Sequence, residues 1–485
     1  MAHPDWVLKH KVKNSEIRNI RGRYYLYAIT SRWDPTKKRT KKVTLGMLGT
    51  ISEKDGFIPK GQGKRGRPCK EKEPQIISTK EYGATHFLQQ IGSDIISELK
   101  NHFPDEWQSL LVLAINRLIY QSPLKNSEFL LEESFLSESL PQAKVDKNAC
   151  TQLLQLIGSN REKIAGFLRA FITGSEHIVF DASHITSLSS KTKMAQRGYN
   201  NARDYDPQVN LFYMFSVDKQ QPNYYRLFPG NIHGVSALQN CLTESQIKNC
   251  IAIGDKGFCS EKNIDLLEEA GINYILPLKR NSEWINYSRL EKRLYQDAFD
   301  GYLMYQDRPI FYTCLEEKDK RQVIIFTDKS LALEEEKTYL RQVSAQKEGY
   351  TIEQYKEKQI GFGTIAMVTN CQDKTPSKIY EAYKTRMEVE IVFDTYKNLL
   401  EADRTYMQSD KSMEAWVFIN HLATMLYYRI FNLLKSHDLL KSISPHDLLL
   451  RLSRINKIKI NNTWLTSEIN SKTAKLMHKL NLPVT

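Results

Sequence analysis

The chain lacks the features that would place it in a membrane, a disulfide scaffold or a zinc module. Its 485 residues include only 7 cysteines, with no Cys-x-x-Cys pair and no Cys/His cluster at zinc spacing. An odd, scattered set of this kind points to reduced thiols in a cytoplasmic protein. No window resembles a secretory signal, and no uninterrupted apolar run reaches membrane length. The most apolar stretch, Trp416 to Leu434, is broken by Asn420, His421 and Arg429 and reads as a core helix. Excess acid is also missing, for the net charge is +13.

That charge is unevenly placed. Residues 1–70 hold 18 Lys and Arg against 5 Asp and Glu, a surplus equal to that of the whole chain, so the remainder is neutral. A basic segment on a neutral body suits a protein that grips a polyanion with one part and does chemistry with another. The basic residues are interleaved with strand-forming aromatics rather than set along an amphipathic helix, which argues against a membrane surface.

Length allows two or three domains. Strand signals at Tyr24 to Ile29 and Lys42 to Leu48, punctuated by glycines, predict a small β-rich module. A Gly-, Lys-, Arg- and Pro-rich linker, Pro59 to Pro74, follows. Within it Lys64-Arg65-Gly66-Arg67-Pro68 resembles the core of an AT-hook, whose extended Arg-Gly-Arg strip fits a narrow A·T minor groove. A flexible basic linker is the competing reading. Residues 76–170 are patterned as helices, for example Glu106 to Tyr120. Strands are then expected at His177 to Phe180, Val209 to Val217, Tyr224 to Phe228, Cys250 to Ile253 and Tyr274 to Leu278, with a helix at Glu261 to Ala270. This order predicts a mixed α/β sheet. Asp181 and Asp255 each fall just past an apolar strand, at the sheet end where such folds place ligands.

In YKTRMEVEIVFDTYK, Tyr383 to Lys397, the residues Tyr383, Arg386, Glu390 and Lys397 recur at helical spacing. Val389, Val392, Phe393, Tyr396 and Leu400 form a second stripe suited to a core. The polar stripe matches phosphate handling: Arg386 can fork onto phosphate oxygens, Lys397 offers a point charge and Glu390 could hold a hard metal ion. Charges on one helix face also occur as a plain solvated surface. Asp204, Asp206 and Asp394 are rival acids, and Gly254-Asp255-Lys256-Gly257-Phe258 could be a simple turn, with glycines at positive φ and the acid capping the next helix.

Tyr383, Arg386, Glu390 and Lys397 match position for position the Tyr-x2-Arg-x3-Glu-x6-Lys signature of a large group of insertion-sequence transposases. VFDASHITS and IAIGDKGFCSEKNIDLLEEAGINYILPLKR resemble the segments around that family's two catalytic aspartates. The resemblance implies a DDE transposase with an RNase H-like core and a β-rich insertion, in which Asp181, Asp255 and Glu390 hold two Mg2+ ions, with Mn2+ able to substitute. It implies that Tyr383, Arg386 and Lys397 hold phosphates of the transposon end. The expected partners are terminal inverted repeats and target DNA, bound by a homodimer in a prokaryotic cytoplasm, at the nucleoid. The implied layout is a basic DNA-binding module and linker at 1–75, in which Lys64, Arg65 and Arg67 are candidate DNA contacts, and a helical region at 76–170. The core occupies 171–285 and 371–440 around an insertion at 286–370, and 441–485 is helical. Met387 stands where some relatives carry a tryptophan used to stack a flipped base, and Trp284 is the substitute to test. A domesticated DNA-binding protein and a stand-alone nuclease are the competing functions.

Overall fold

The computed structural model describes residues 3–35, 37–61, 77–174, 176–198, 206–232, 235–292, 295–315 and 320–483. The chain divides into two compact units, Met1–Gln75 and Ile76–Thr485.

The first unit is a four-stranded antiparallel sheet of β1 (Ser15–Ile20), β2 (Arg23–Asp34), β3 (Arg39–Ser52) and β4 (Gly56–Pro59), in that spatial order. Arg21 and Gly22 connect β1 to β2 with φ of 52° and 81°, the backbone of a tight hairpin turn that keeps the strands' right-handed twist. Val7, Ile17, Leu26 and Ile51 form its small core, packed against Trp6, Tyr24 and Phe57.

The second unit opens with β5 (Ile77–Glu81) and a run of helices that includes Gly83–Ile91, Ser93–His102, Trp107–Tyr120, Lys147–Gly158 and Arg161–Arg169. The sheet follows, built from β6 (His177–Ser187), β7 (Gln208–Ser216), β8 (Gln221–Pro229), β9 (Ile251–Ile253), β10 (Asn273–Pro277), β11 (Gly301–Tyr305), β12 (Arg308–Cys314), β13 (Gln322–Asp328), β14 (Thr364–Thr369) and β15 (Arg404–Thr405). Its order is β11-β12-β13-β14-β10-β9-β6-β7-β8, with β15 beside β6. The β10–β9, β9–β6 and β15–β6 pairings are parallel and the others antiparallel, so the protein is a mixed α/β fold. Burial of nearly every residue of β7, on both faces, is what a central strand covered from both sides requires.

The strands that fall in the expected β-rich insertion join the central sheet. β14 pairs with β10, so β11 to β14 extend the central sheet, and helices Lys329–Ser344 and Ile352–Lys358 accompany them. The helix Asp410–Ser436 is buried through most of its length and packs against Lys147–Gly158, Trp107–Tyr120 and β8, so its apolar residues serve a core. Among the described residues no helix is long and apolar enough to cross a membrane. The C-terminal region is not wholly helical: β16 (Asn456–Ile460) and β17 (Thr463–Thr466) form a hairpin that pairs with β5.

Candidate active site

The parallel pairing of β6 with β9 creates the site. His177, Ile178 and Val179 lie beside Ile251, Ala252 and Ile253, and then β9 ends. Asp181 and Asp255 each stand two residues beyond the last pair, Val179 and Ile253, which brings two sequence-distant acids to one level of the sheet. Farther along the same edge, β15 pairs with Thr186 and Ser187 of β6. The stretch of β6 between these two pairings is therefore an open notch, a natural place for a ligand at a sheet edge.

Asp181 does not terminate its strand, as the sequence pattern suggested. β6 continues to Ser187 because its other edge stays paired to β7, with Asp181 opposite Tyr213. Asp255 lies in a tight turn after β9, where its Oδ1 accepts the Gly257 N–H. Neither Gly254 nor Gly257 uses positive φ. Gly254 is needed for space instead, since a Cβ there would come within 2.9 Å of Leu276 Cδ2 and 3.1 Å of Phe258 Cβ. Nor does Asp255 cap the following helix, Glu261–Glu269; the Ser260 side chain does, accepting the Asn263 N–H.

The Tyr383 to Lys397 segment is not one helix. Helix Pro376–Lys384 stops, Thr385 and Arg386 form a turn, helix Met387–Asp394 begins and a π-helical turn, Thr395–Leu399, ends it. The Thr385 hydroxyl donates to the Ala382 carbonyl, a local bond of the kind that competes with regular helix pairing. The π turn carries Lys397, and such turns recur at functional sites because they redirect side chains. The apolar stripe survives the breaks: Val389, Val392, Phe393, Tyr396 and Leu400 are all buried.

Arg386 links the acids. Its Nη2 donates to Glu390 Oε1 at 2.7 Å, and its Nη1 lies 3.8 Å from Asp181 Oδ2. Burial pushes the Asp181 carboxyl up to about 6; the Ala182 N–H, which donates to Oδ1 at 2.8 Å, and Arg386 oppose this, while the charges of Asp255 and Glu390 add to it. Burial opposes the Arg386 charge, but Tyr383, Glu390, Asp181 and Asp255 outweigh it and hold the guanidinium above its ordinary value. Tyr383 is raised by burial, against the pull of the neighbouring Arg386 charge. Lys397 is lowered by burial, with Asp403 and Asp181 pulling the other way. The structure thus brings Asp181, Asp255, Glu390, Tyr383, Arg386 and Lys397 into one electrostatic neighbourhood.

The rival acids are placed elsewhere or engaged otherwise. Asp394 is exposed and accepts the Asn398 amide at 2.5 Å, and Asp206 is exposed just before β7. Asp204 lies outside the described residues, as do Lys64, Arg65 and Arg67. Trp284 is partly buried against the core and has Arg321 5.8 Å over its ring, anchored by Asp265 and Glu268, so it is not a free stacking platform.

Two residues that sequence reasoning missed support the site. Asp403 faces Lys397 electrostatically, and its carbonyl accepts the Thr186 N–H at the notch. Arg117 donates to the Leu400 carbonyl, to Asn420 Oδ1 at 3.0 Å and to the Gln121 and Ser122 carbonyls, tying the end of the π turn to two core helices. A lone Arg in the apolar run of Trp107–Tyr120 was the available signal.

The donor set suits a hard divalent cation, because Asp181, Asp255 and Glu390 offer only oxygens and their mutual repulsion is felt at Asp181. Among the described residues no three His, Cys, Asp or Glu side chains are drawn together tightly enough to hold a metal. Arg386 supplies the positive charge between Asp181 and Glu390 in this arrangement.

One solved structure similar to the chain is a cryo-EM structure of the piggyBac transposase synaptic complex with hairpin DNA, at 11% identity and a TM-score of 0.40, covering 77% of this chain and 79% of that one. No curated protein matches the sequence. The profile of the transposase DDE domain matches residues 172–426, a span that contains Asp181, Asp255, Glu390 and the turn carrying Lys397. With more than half of its length matched, the chain belongs to the transposase DDE domain family.

Proposed function

We propose that this protein is an insertion-sequence transposase of the Tyr-Arg-Glu-Lys type, with an RNase H-like core, that binds the terminal inverted repeats of its element and catalyses metal-dependent DNA cleavage and strand transfer. The observation that carries the reading is the matched register of Asp181 and Asp255 across the β6–β9 pair, with Glu390 joined to Asp181 through Arg386.

Asp181, Asp255 and Glu390 are the groups that would hold divalent ions, Mg2+ by preference. A bound pair would supply charge stabilisation to the attacking and leaving oxygens of a phosphodiester. The cations of the site act on the substrate itself. Arg386 presents a fork that binds phosphate oxygens more strongly than a single carboxylate contact, so an arriving phosphate competes with Glu390 for it. Glu390 is thereby released toward the two aspartates. Lys397, half-buried and balanced by Asp403 and Asp181, places a second positive charge at the notch, and Tyr383 neighbours the Arg386 guanidinium. Residues 1–75 supply the grip on the element's ends, and two copies joined at paired ends would act together.

A strand-transfer assay tests the function. Wild-type protein, Mg2+ and a duplex copied from the DNA flanking the gene should yield products joined to a target plasmid. Cutting without joining would identify a nuclease, and binding without either reaction would identify a protein that only binds DNA.

A further inference from the structure

We infer that the outer part of the β2–β3 hairpin is a DNA-reading ribbon that enters the major groove of duplex DNA. The inference rests on the end-binding function proposed above and specifies how that binding is made.

The pairing register defines the ribbon. β1 pairs with β2 only as far as Ala28, and β4 pairs with β3 only from Gly49 onward. Beyond those limits Ile29 to Asp34 of β2 pair with Thr44 to Arg39 of β3, with no described strand on either outer edge. Six pairs at strand rise give a two-stranded arm of ~20 Å, held at its base by the Asn14 carbonyl on the Ile29 N–H and by Arg18 on Thr44, and unpaired along its outer part. An undistorted major groove about 12 Å wide admits such an arm directly, whereas a minor groove about 6 Å wide would first have to be opened by bending the duplex.

The side chains suit that occupant. Directly paired residues share a face, so Arg32, Lys41 and Arg39 stand together with Thr30, Asp34 and Val43, and Lys37 and Lys38 lie at the tip. Arg32, Lys37, Lys38, Arg39 and Lys41 are exposed, and among the described residues none of them forms an ion pair. The next cations inward are already used: Arg18 and Lys42 both pair with Glu16. Trp33 is 65% exposed on the opposite face, beside Ser31, Thr40 and Lys42. Unspent cations with hydroxyls at a ribbon tip match phosphates flanking base edges. A second copy of this surface would set like charges against each other.

The two irregularities of the β2–β3 ladder add to the fit. Leu48 and Leu45 are the extra residues of β3, between Leu26/Tyr27 and Ala28/Ile29. Bulges of this kind increase right-handed twist, which lets an arm follow a helical groove.

The test measures binding of the full-length protein to duplexes copied from the gene's flanks, by fluorescence anisotropy over a salt series. The ribbon variant is Arg32→Thr/Arg39→Thr/Lys41→Thr, which preserves strand propensity. The control is Lys472→Thr/Lys475→Thr/Lys479→Thr, which removes the same charge from exposed positions of the helix Ser471–Lys479. Thermal melting of both confirms that the fold is kept. The ribbon variant should lose roughly tenfold or more in affinity, with the log–log salt slope reduced by about 2 to 3, while the control binds as wild type. Methyl green, a major-groove ligand, should displace the protein, and netropsin, a minor-groove ligand, should not. Equal binding by the ribbon variant, equal losses in both variants, or displacement by netropsin alone would overturn the ribbon while leaving end binding intact. A wild-type protein that binds no flank duplex would overturn the end-binding function and the ribbon together.

Discussion

Asp181→Asn should make the protein more stable at neutral pH, even as it removes a residue assigned to the chemistry. In the unfolded chain this carboxyl ionises near its ordinary 3.8, and in the folded protein at about 6. Between those values the folded state binds more protons than the unfolded state, so stability falls as pH rises through this window. Above it the full cost is present, ~3 kcal/mol. The cause is mainly burial, with the Asp255 and Glu390 charges adding to it. Asparagine keeps an oxygen for the Ala182 N–H and gives up only a 3.8 Å ion pair with Arg386, which retains Glu390. The expected gain is therefore ~2–3 kcal/mol at pH 8, read as a rise in Tm of a few degrees, and close to zero at pH 4. Differential scanning calorimetry of both proteins from pH 4 to 8 measures it. Added Mg2+ should narrow the gap by stabilising the wild type alone. A variant no more stable than wild type at pH 8, or equally favoured at pH 4, would refute the reasoning.

Other substitutions probe the scaffold. Arg161 donates to Glu244 at 2.7 Å, Glu414 at 2.8 Å and the Tyr225 carbonyl at 2.7 Å, all largely buried, so Arg161→Met should cost ~3 kcal/mol by leaving Glu414 without its cation, while Glu244 keeps Arg226, seen as a lower denaturation midpoint. Gly254→Ala forces a Cβ against Leu276 and Phe258 directly beside Asp255. It should lower the cleavage rate by ~10-fold or more with only a small change in Tm, because misplacing a reacting group costs more than local repacking.

Much of the fold was legible because its signals are local. The apolar runs of β7, β9 and β10 predicted strands within a residue of their observed limits, and the spacing of Val389, Val392, Phe393, Tyr396 and Leu400 predicted a buried stripe. What the sequence hid depends on partners. β6 runs past Asp181 only because β7 continues to pair with it, and β11 to β14 join the central sheet only because β14 meets β10. The break at Thr385 and Arg386 falls within a segment of good helix formers, beside a Thr385 hydroxyl bond to the Ala382 carbonyl. Arg117 takes its place through Asn420 and the Leu400 carbonyl, and Asp403 through its carbonyl's bond from the Thr186 N–H, contacts across hundreds of residues that no periodicity encodes.

The most direct measurement is single-turnover cleavage of a flank duplex with Mg2+ by wild type, Asp181→Asn, Asp255→Asn and Glu390→Gln, with duplex binding followed in parallel. All four proteins should bind, and each variant should cleave at least ~10³-fold more slowly than wild type, because the three carboxylates act as one unit. Cleavage at the wild-type rate by any one variant would remove that residue from the site and contradict the account.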